Sequence, residues 1–281
     1  MARKTIWITG SEGKLGSVLC KILSRNKKYK IVGTGRNVDV TDLNAVDQAM
    51  DIYRPNIVIN CASISNFDYC EGHRIEAYKV NTLGARNLAT VTARYNIKLI
   101  HISTNEVFSG ERNVPKNEFD APTPKTVFGK SKFAGENYVR ELNEKHLIIR
   151  SSWVYGTGQD SYYDYVIKCA QEGKSFTAPM DVISSPTNVY DLARVIDSMI
   201  SSREYGIFHV SSEGACSLLE YAKAILRLNG YDSALAEGTF STGEGQVTAT
   251  MLENLMLELT GIAKMPDWYE ALEKYVAETK E

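Results

Sequence analysis

The feature that most constrains this chain is a glycine-spaced turn close to its start. Thr5-Ile6-Trp7-Ile8-Thr9 is a short apolar run of β-prone residues. Gly10-Ser11-Glu12-Gly13-Lys14-Leu15-Gly16 follows, and Val18, Leu19, Ile22 and Leu23 then recur at helical spacing. A strand that turns through glycines into a helix gathers backbone N–H groups and the positive end of the helix at one point, which suits a phosphate. The glycines have separate jobs there: a tight turn, close approach of the backbone to a pyrophosphate, and close helix–strand contact. The spacing is G-x-x-G-x-x-G, a variant of the G-x-G-x-x-G fingerprint, so an ordinary βα turn competes with a phosphate cradle until a second marker is found. Its place in the first strand–helix unit, where a nucleotide-binding half-domain begins, favours the cradle.

The segments that follow keep the same alternation. Strands are predicted at Tyr29–Gly35, Asn56–Cys61, Lys98–Ser103 and His146–Ser151. Helices are predicted over Leu43–Tyr53, Glu71–Tyr95 and from Phe128 to Leu142. Near-continuous apolar strands separated by helices mean a parallel sheet covered on both faces. The fold class is therefore α/β, a doubly wound, Rossmann-like parallel sheet. After Trp153 the rhythm changes to aromatic-rich Tyr162–Tyr165, scattered prolines, a strand at Ile207–Val210, a helix at Leu218–Leu228 and a polar stretch from Glu237 to Thr250. This organisation predicts a dinucleotide-binding domain over 1–155, to which segments of about 182–211 return, and a small interleaved substrate lobe over 156–281.

Charge and composition exclude other classes. A net charge of −2 over 281 residues gives no reason to expect nucleic acid or an acidic membrane surface. Five cysteines without a tight pair read as reduced thiols rather than a disulfide frame or zinc site. His73, His101, His146 and His209 have no metal-ligand spacing, so no metal is expected. No apolar run is long enough for a signal peptide or membrane span, and a soluble, cytoplasmic protein is the expectation. A homodimer through exposed helix faces stays open.

The cofactor end can be read further. A carboxylate at the end of the second strand would bond the ribose of NAD, whereas an arginine suits the 2′-phosphate of NADP. The strand ends Gly33-Thr34-Gly35-Arg36-Asn37, with no carboxylate until Asp39, so Arg36 tips the choice to NADP(H), with NAD(H) as the second option. Arg36 as a solvated loop charge is the plainer alternative, and Asp39-Val40 before Thr41-Asp42 also reads as the approach to a helix cap. Asn60-Cys61-Ala62-Ser63 closes the third strand with small residues that let a cofactor lie against the backbone. Ser103-Thr104-Asn105-Glu106 closes the fourth, where α/β ligand crevices form. Phe128-Gly129-Lys130-Ser131-Lys132 then opens a helix, with Phe128 and Lys132 on one face.

At these residues the chain resembles the extended short-chain dehydrogenase/reductases, and within them the dTDP-4-dehydrorhamnose reductase group. The resemblance runs nearly end to end. It covers the glycine turn, Asp39-Val40, Val80-Asn81-Thr82-Leu83-Gly84, Ser103-Thr104 with Val107-Phe108, Gly129-Lys130-Ser131-Lys132 with Gly135-Glu136, and Arg150-Ser151-Ser152-Trp153-Val154-Tyr155-Gly156. Ser185-Pro186-Thr187 with Asp191-Leu192-Ala193, and Pro266-Asp267-Trp268 with Glu270-Ala271-Leu272, complete it. The resemblance implies a nicotinamide-binding domain with a nucleotide-sugar lobe and hydride transfer from NADPH or NADH to a 4-keto sugar. It implies cofactor contacts from Gly10, Ser11, Glu12, Gly13, Leu15, Gly16, Arg36, Asp39, Val40, Cys61, Ala62, Ser63, Ser103 and Lys132. In such reductases a Tyr-x-x-x-Lys pair and a Ser/Thr complete the proton transfer, which here falls on Phe128, Lys132 and Thr104.

The departures sit at the substrate end. Phe128 stands where the family has its tyrosine and has no hydroxyl to give, while Lys132 is kept to hold the nicotinamide ribose. The family's Asp-Tyr after Ser-Thr is Asn105-Glu106, and its Arg-Pro before the last helix is not evident around Gln246-Val247. Asn105, Glu106, Trp153 and Tyr155 are the substrate-side candidates. Glu106 serves either as a substitute acid or as a solvated loop charge, and Trp153 and Tyr155 either stack on base or sugar or fill the core. Two functions stay open: a reductase of a nucleotide-linked 4-keto-deoxysugar, diverged or weakened by the missing phenol, and a non-catalytic NADP(H)- or sugar-nucleotide-binding regulatory or partner protein.

Overall fold

The computed structural model describes residues 3–110, 113–156, 161–241 and 247–279. The first half alternates β1 (Lys4–Thr9), α1 (Lys14–Leu23), β2 (Tyr29–Thr34), α2 (Leu43–Tyr53) and β3 (Ile57–Asn60). Two short helices follow, α3 (Phe67–Gly72) and α4 (Arg74–Tyr78), then a π-helical turn over Lys79–Gly84 and α5 (Ala85–Arg94). Next are β4 (Lys98–Thr104), α6 (Val127–Leu142) and β5 (His146–Ser151). The remainder runs β6 (Val154–Tyr155), α7 (Tyr162–Gln171), β7 (Phe176–Pro179), β8 (Val182–Ser184), β9 (Thr187–Asn188), α8 (Val189–Ile200) and β10 (Gly206–His209). It ends with β11 (Cys216–Ser217), α9 (Leu218–Leu228), β12 (Ala236–Thr239), β13 (Thr248–Ala249), α10 (Leu255–Thr260) and α11 (Trp268–Thr279).

Among the described residues the main sheet has the order β10-β5-β4-β3-β1-β2. The pairs β2–β1, β1–β3 and β3–β4 run parallel, with Ile6 opposite both Ile31 and Ile57 and Ile59 opposite Ile100. Trp7, Val58, Leu99 and Ile148 from the strands pack with Val46 and Met50 of α2 and Ala85, Leu88 and Val91 of α5. β3 is buried at every position, which is why it reads as an unbroken apolar run rather than an alternating one. Because β2 and β3 flank β1 on opposite sides, the strand order reverses at β1, and open α/β sheets bind ligands outside the carboxyl ends of strands at such a point.

The chain divides into two compact units. One holds Met1–Phe108, Ala121–Arg150 and Ala193–Phe208, and the other Ser109–Asp120, Ser151–Leu192 and His209–Glu281. The second unit has its own core, in which Tyr155, Tyr163, Val166, Tyr221, Ile225 and Leu272 are buried together. Its helices α7 and α9 each begin with a capping box, Ser161 with Asp164 and Ser217 with Glu220.

One predicted element is corrected. The helix expected over Glu71–Tyr95 is interrupted at His73, whose φ −129° and ψ 52° are not helical, and then widens into the π turn. Close helix packing accompanies the irregularity: a Cβ on Gly135 of α6 would collide with the Asn81 carbonyl. The polar stretch around Gln246 lies in part outside the described residues.

Candidate active site

The turn after β1 is made of backbone in close contact. Gly10 has φ +63°, and a Cβ there would lie 2.6 Å from the Ala62 nitrogen and 2.7 Å from the Cys61 carbonyl carbon. A side chain on Gly16 would run into the Gly10 carbonyl, so α1 rests directly on the turn, with Leu15 buried beneath it. The Ser11 N–H donates to the Thr34 carbonyl at 3.0 Å and the Gly13 N–H to the Gly10 carbonyl at 3.0 Å. α1 starts at Gly13 with no side-chain cap and no acid in its first turn. A helix N-terminus kept clear of capping carboxylates at the switch point is the donor set a dinucleotide diphosphate requires.

Around this turn the predicted cofactor residues divide. Arg36 is exposed just past the end of β2. Asp39 is also exposed, and its Oδ1 accepts the Thr41 N–H at 2.8 Å, while Asp42 caps α2, the local roles the plainer reading expects. Val40 is buried, its Cγ2 against Gly84, and its carbonyl accepts from Asn87 Nδ2 at 3.0 Å. Ser63 Oγ donates to Asn81 Oδ1 at 3.0 Å. Burial pushes the Cys61 thiol up to about 12, which removes any nucleophilic role.

The other half of the site joins the end of β4 to the first turns of α6. Thr126 caps α6 by accepting the Gly129 N–H at 3.0 Å, and the buried face of the helix carries Phe128, Ser131, Lys132, Gly135 and Glu136. Lys132 Nζ donates to the Ile102 carbonyl at 2.6 Å, two residues before Thr104. Burial lowers the Lys132 ammonium to about 8, opposed by Glu136 and Cys61. Ser103 Oγ donates to Glu136 Oε1 at 2.5 Å, and Arg150 donates to the same carboxylate through Nε at 3.0 Å and through a terminal nitrogen at 2.7 Å. Both members of that pair are fully buried, and the guanidinium also lies 5.3 Å from the Phe108 ring centre.

Thr104 Oγ1 accepts the Glu106 N–H at 3.2 Å and donates to Asn105 Oδ1 at 3.2 Å. The Glu106 backbone presses on α6, since a Cβ on Gly129 would collide with its carbonyl. Burial pushes the Glu106 carboxyl up to about 7. Phe128 is 7% exposed and sits with Cys70 and Ala77, edge-on to Phe67 with ring centres 5.3 Å apart. The structure thus gathers Ser103, Thr104, Asn105, Glu106, Phe128 and Lys132 at one end of β4 and α6.

Two polar supports were not among the predicted site residues. Asn81, in the π turn, donates to the Ile64 carbonyl and to Ser131 Oγ, both at 2.9 Å, and accepts the Ile64 N–H at 2.9 Å. It thereby ties the loop after β3 to the turn of α6 between Phe128 and Lys132. Thr9, Asn60 and His101 form a buried string across β1, β3 and β4, with Thr9 Oγ1 donating to Asn60 Oδ1 at 2.8 Å and the Asn60 amide to His101 Nδ1 at 3.0 Å. Burial holds His101 well below the usual histidine range, so it stays neutral.

In the second unit, Trp153 adopts φ +38°, a left-handed conformation costly for a non-glycine residue. Its ring stacks on Tyr221 with centres 6.4 Å apart. Tyr155 is 1% exposed, enclosed by Tyr163, Tyr221 and Tyr275. The structure therefore puts Tyr155 in the core, the second of its two readings. Of the neighbouring tyrosines, Tyr163 is in that core and Tyr165 is 48% exposed. Among the described residues no cluster suited to a metal ion is found, and no helix is long and apolar enough to cross a membrane.

Comparison with known proteins gives a consistent picture. The family described as the RmlD substrate binding domain matches residues 4–281. The spore coat polysaccharide biosynthesis protein SpsK of Bacillus subtilis is 34% identical over 276 residues, 97% of each chain. A dTDP-4-dehydrorhamnose reductase of Aggregatibacter actinomycetemcomitans is 30% identical over 293 residues, again 97% of each. Among solved structures, the dTDP-4-dehydrorhamnose reductase of Bacillus anthracis in complex with NADP superposes with a TM-score of 0.92 at 34% identity, covering 98% of this chain and 99% of that one.

Proposed function

The chain belongs to the RmlD substrate binding domain family, and from that premise we propose that it is an NADP(H)-dependent reductase of a nucleotide-linked 4-keto-deoxysugar whose proton comes from a group other than tyrosine. The first unit serves as the dinucleotide-binding domain and the second as the substrate lobe. The observation that carries the reading is a buried, strand-anchored Lys132 at the same end of β4 and α6 as a half-buried Glu106 beside Thr104, while position 128 offers no hydroxyl. NAD(P)H, when bound, supplies a hydride to the keto carbon. Lys132 holds the nicotinamide ribose hydroxyls, and Thr104 hydrogen-bonds the sugar's keto oxygen. The Glu106 carboxyl, still protonated in part near neutrality, gives its proton to the alkoxide directly or through a water on Thr104. A positioned acid is worth roughly 10²–10⁴-fold, and Glu106 supplies only part of it where its proton passes through a water, so turnover is slower than with a phenol but not abolished, because orientation contributes separately.

A second reading, a regulatory or partner protein that binds NADP(H) or a sugar nucleotide without turnover, is favoured by one observation. The Phe128 ring is committed to packing against Phe67, Cys70 and Ala77. The two readings separate in one experiment: NADPH affinity by nicotinamide fluorescence, then NADPH consumption with a panel of 4-keto sugar nucleotides. Consumption with at least one substrate is expected. Tight NADPH binding with no consumption across the panel selects the second reading, and no NADPH or NADH binding removes both.

A further inference from the structure

In sequence the end of β2 has no carboxylate, yet the fold brings one there. A Cβ on Gly35 would lie 2.5 and 2.6 Å from the two carboxylate oxygens of Glu12. The Glu12 side chain therefore reaches out of the glycine turn and lies along the Gly35 backbone, in space that a side chain at 35 would fill. The turn is held to this strand by the Ser11 N–H to Thr34 carbonyl bond at 3.0 Å, and the loop beyond is fixed by the Gly35 N–H donating to Asn37 Oδ1 at 2.8 Å. Arg36 is the next residue. Glu12 and Arg36 are both exposed, and among the described residues no ion pair within 4.0 Å engages either one.

A dinucleotide whose diphosphate rests on the first βα turn brings its adenosine ribose to the end of β2. There an acceptor suits the ribose 2′- and 3′-hydroxyls, and a 2′-phosphate brings about two negative charges. We infer that Glu12 is a specificity-determining residue for the dinucleotide: its carboxylate accepts from the adenosine ribose hydroxyls of NAD(H) and opposes the 2′-phosphate that Arg36 attracts. The inference rests on the cofactor reading proposed above and deepens it. Arg36 alone predicts a one-sided preference for NADP(H). The carboxylate beside it narrows that preference and opens the site to NAD(H).

The test measures dissociation constants for NADPH and NADH on the whole protein by fluorescence titration. It compares the wild type with Glu12→Gln, Gly35→Ala and Arg36→Ala, the fold of each being checked by circular dichroism. Removing one like charge from beside a 2′-phosphate in a solvated setting shifts binding by about tenfold. Glu12→Gln is therefore expected to tighten NADPH and weaken NADH, raising the NADPH preference about tenfold at low salt and less at high salt. Gly35→Ala leaves Glu12 in place but forces its carboxylate away, and is expected to move the preference the same way; Arg36→Ala moves it the opposite way. If the preference stays within about twofold of wild type in folded Glu12→Gln and Gly35→Ala that still bind NADPH, the inference falls and the reductase reading stands. If the wild type binds neither dinucleotide, both fall.

Discussion

Phe128→Tyr puts the strongest demand on the proposed chemistry, because the structure sets both its gain and its cost. Phe128 opens α6 one helical turn before Lys132, whose amine is anchored on the Ile102 carbonyl. A phenol added there lies on the same helix face as an ammonium, the arrangement that lowers a tyrosine's pKa and makes it a proton donor. A positioned acid contributes roughly 10²–10⁴-fold, equivalent to about 3–5 kcal/mol of barrier. Against this, the ring is 7% exposed and edge-on to Phe67, so a hydroxyl that finds no partner costs about 1–3 kcal/mol of stability. That is a fraction of the roughly 5–15 kcal/mol that holds a domain folded. The variant is therefore expected to fold, to melt a few degrees lower, and to turn over a 4-keto sugar nucleotide at least about 10²-fold faster in single-turnover assays. An unchanged rate in a folded variant with unaltered NADPH affinity would refute the claim that the missing phenol limits this site.

Three further outcomes follow from the buried charges. Glu106 is raised from 4.5 to about 7, so the folded state holds a proton that the unfolded state releases, and stability contributed here falls as pH rises from about 4.5 to 7; Glu106→Gln should stabilise the protein at pH 8 relative to pH 4 in urea melts while lowering kcat. Lys132 is lowered from 10.5 to about 8, so its charge costs stability below pH 8; Lys132→Met should be more stable than wild type at pH 7, by a margin that shrinks between pH 8 and 10.5, and should bind NADPH more weakly. Arg150→Met leaves the buried Glu136 carboxylate without its cation and should cost about 3–5 kcal/mol in denaturant unfolding, and it should also slow turnover by loosening Ser103 and hence Thr104.

Local rules made much of this architecture readable. The β1–turn–α1 unit followed from glycine spacing and apolar period, and α2, β5 and α9 begin and end where their periodicity and caps indicate. The helix over Glu71–Tyr95 did not survive: it breaks at the exposed His73, and its π turn packs closely on α6 at Gly135, which no local pattern encodes. The residue types at the site were equally plain: Phe128, Lys132 and Glu106 all stand on the face of α6 or the end of β4 that the alternation implied. Their protonation was not, since Glu106 reads as a loop acid until burial is known. Glu12 shows the same limit from the other direction. Its position in the glycine turn gives no hint that its carboxylate lies beside Gly35, twenty-three residues further along the chain.

The buried ionisable groups also weigh between the two functional readings. An ammonium as enclosed as Lys132 destabilises the fold it sits in, and an apolar side chain of similar length would relieve that cost. The Ile102 carbonyl and the Glu136 carboxylate offset part of that cost, and the hydroxyls of a bound cofactor would offset more under either reading. Glu106 goes further. Burial pushes its carboxyl up to about 7, which leaves a proton available near neutrality. It is matched to a proton donor that must be protonated before the reaction and ionised after it. Phe128 offers no hydroxyl on the face of α6, and the Glu106 backbone is pressed against that same first turn at Gly129. Under the proposed function Lys132 holds the cofactor's hydroxyls and Glu106 gives the proton, so each perturbed group has a role, whereas a binding protein leaves the raised Glu106 carboxyl without one.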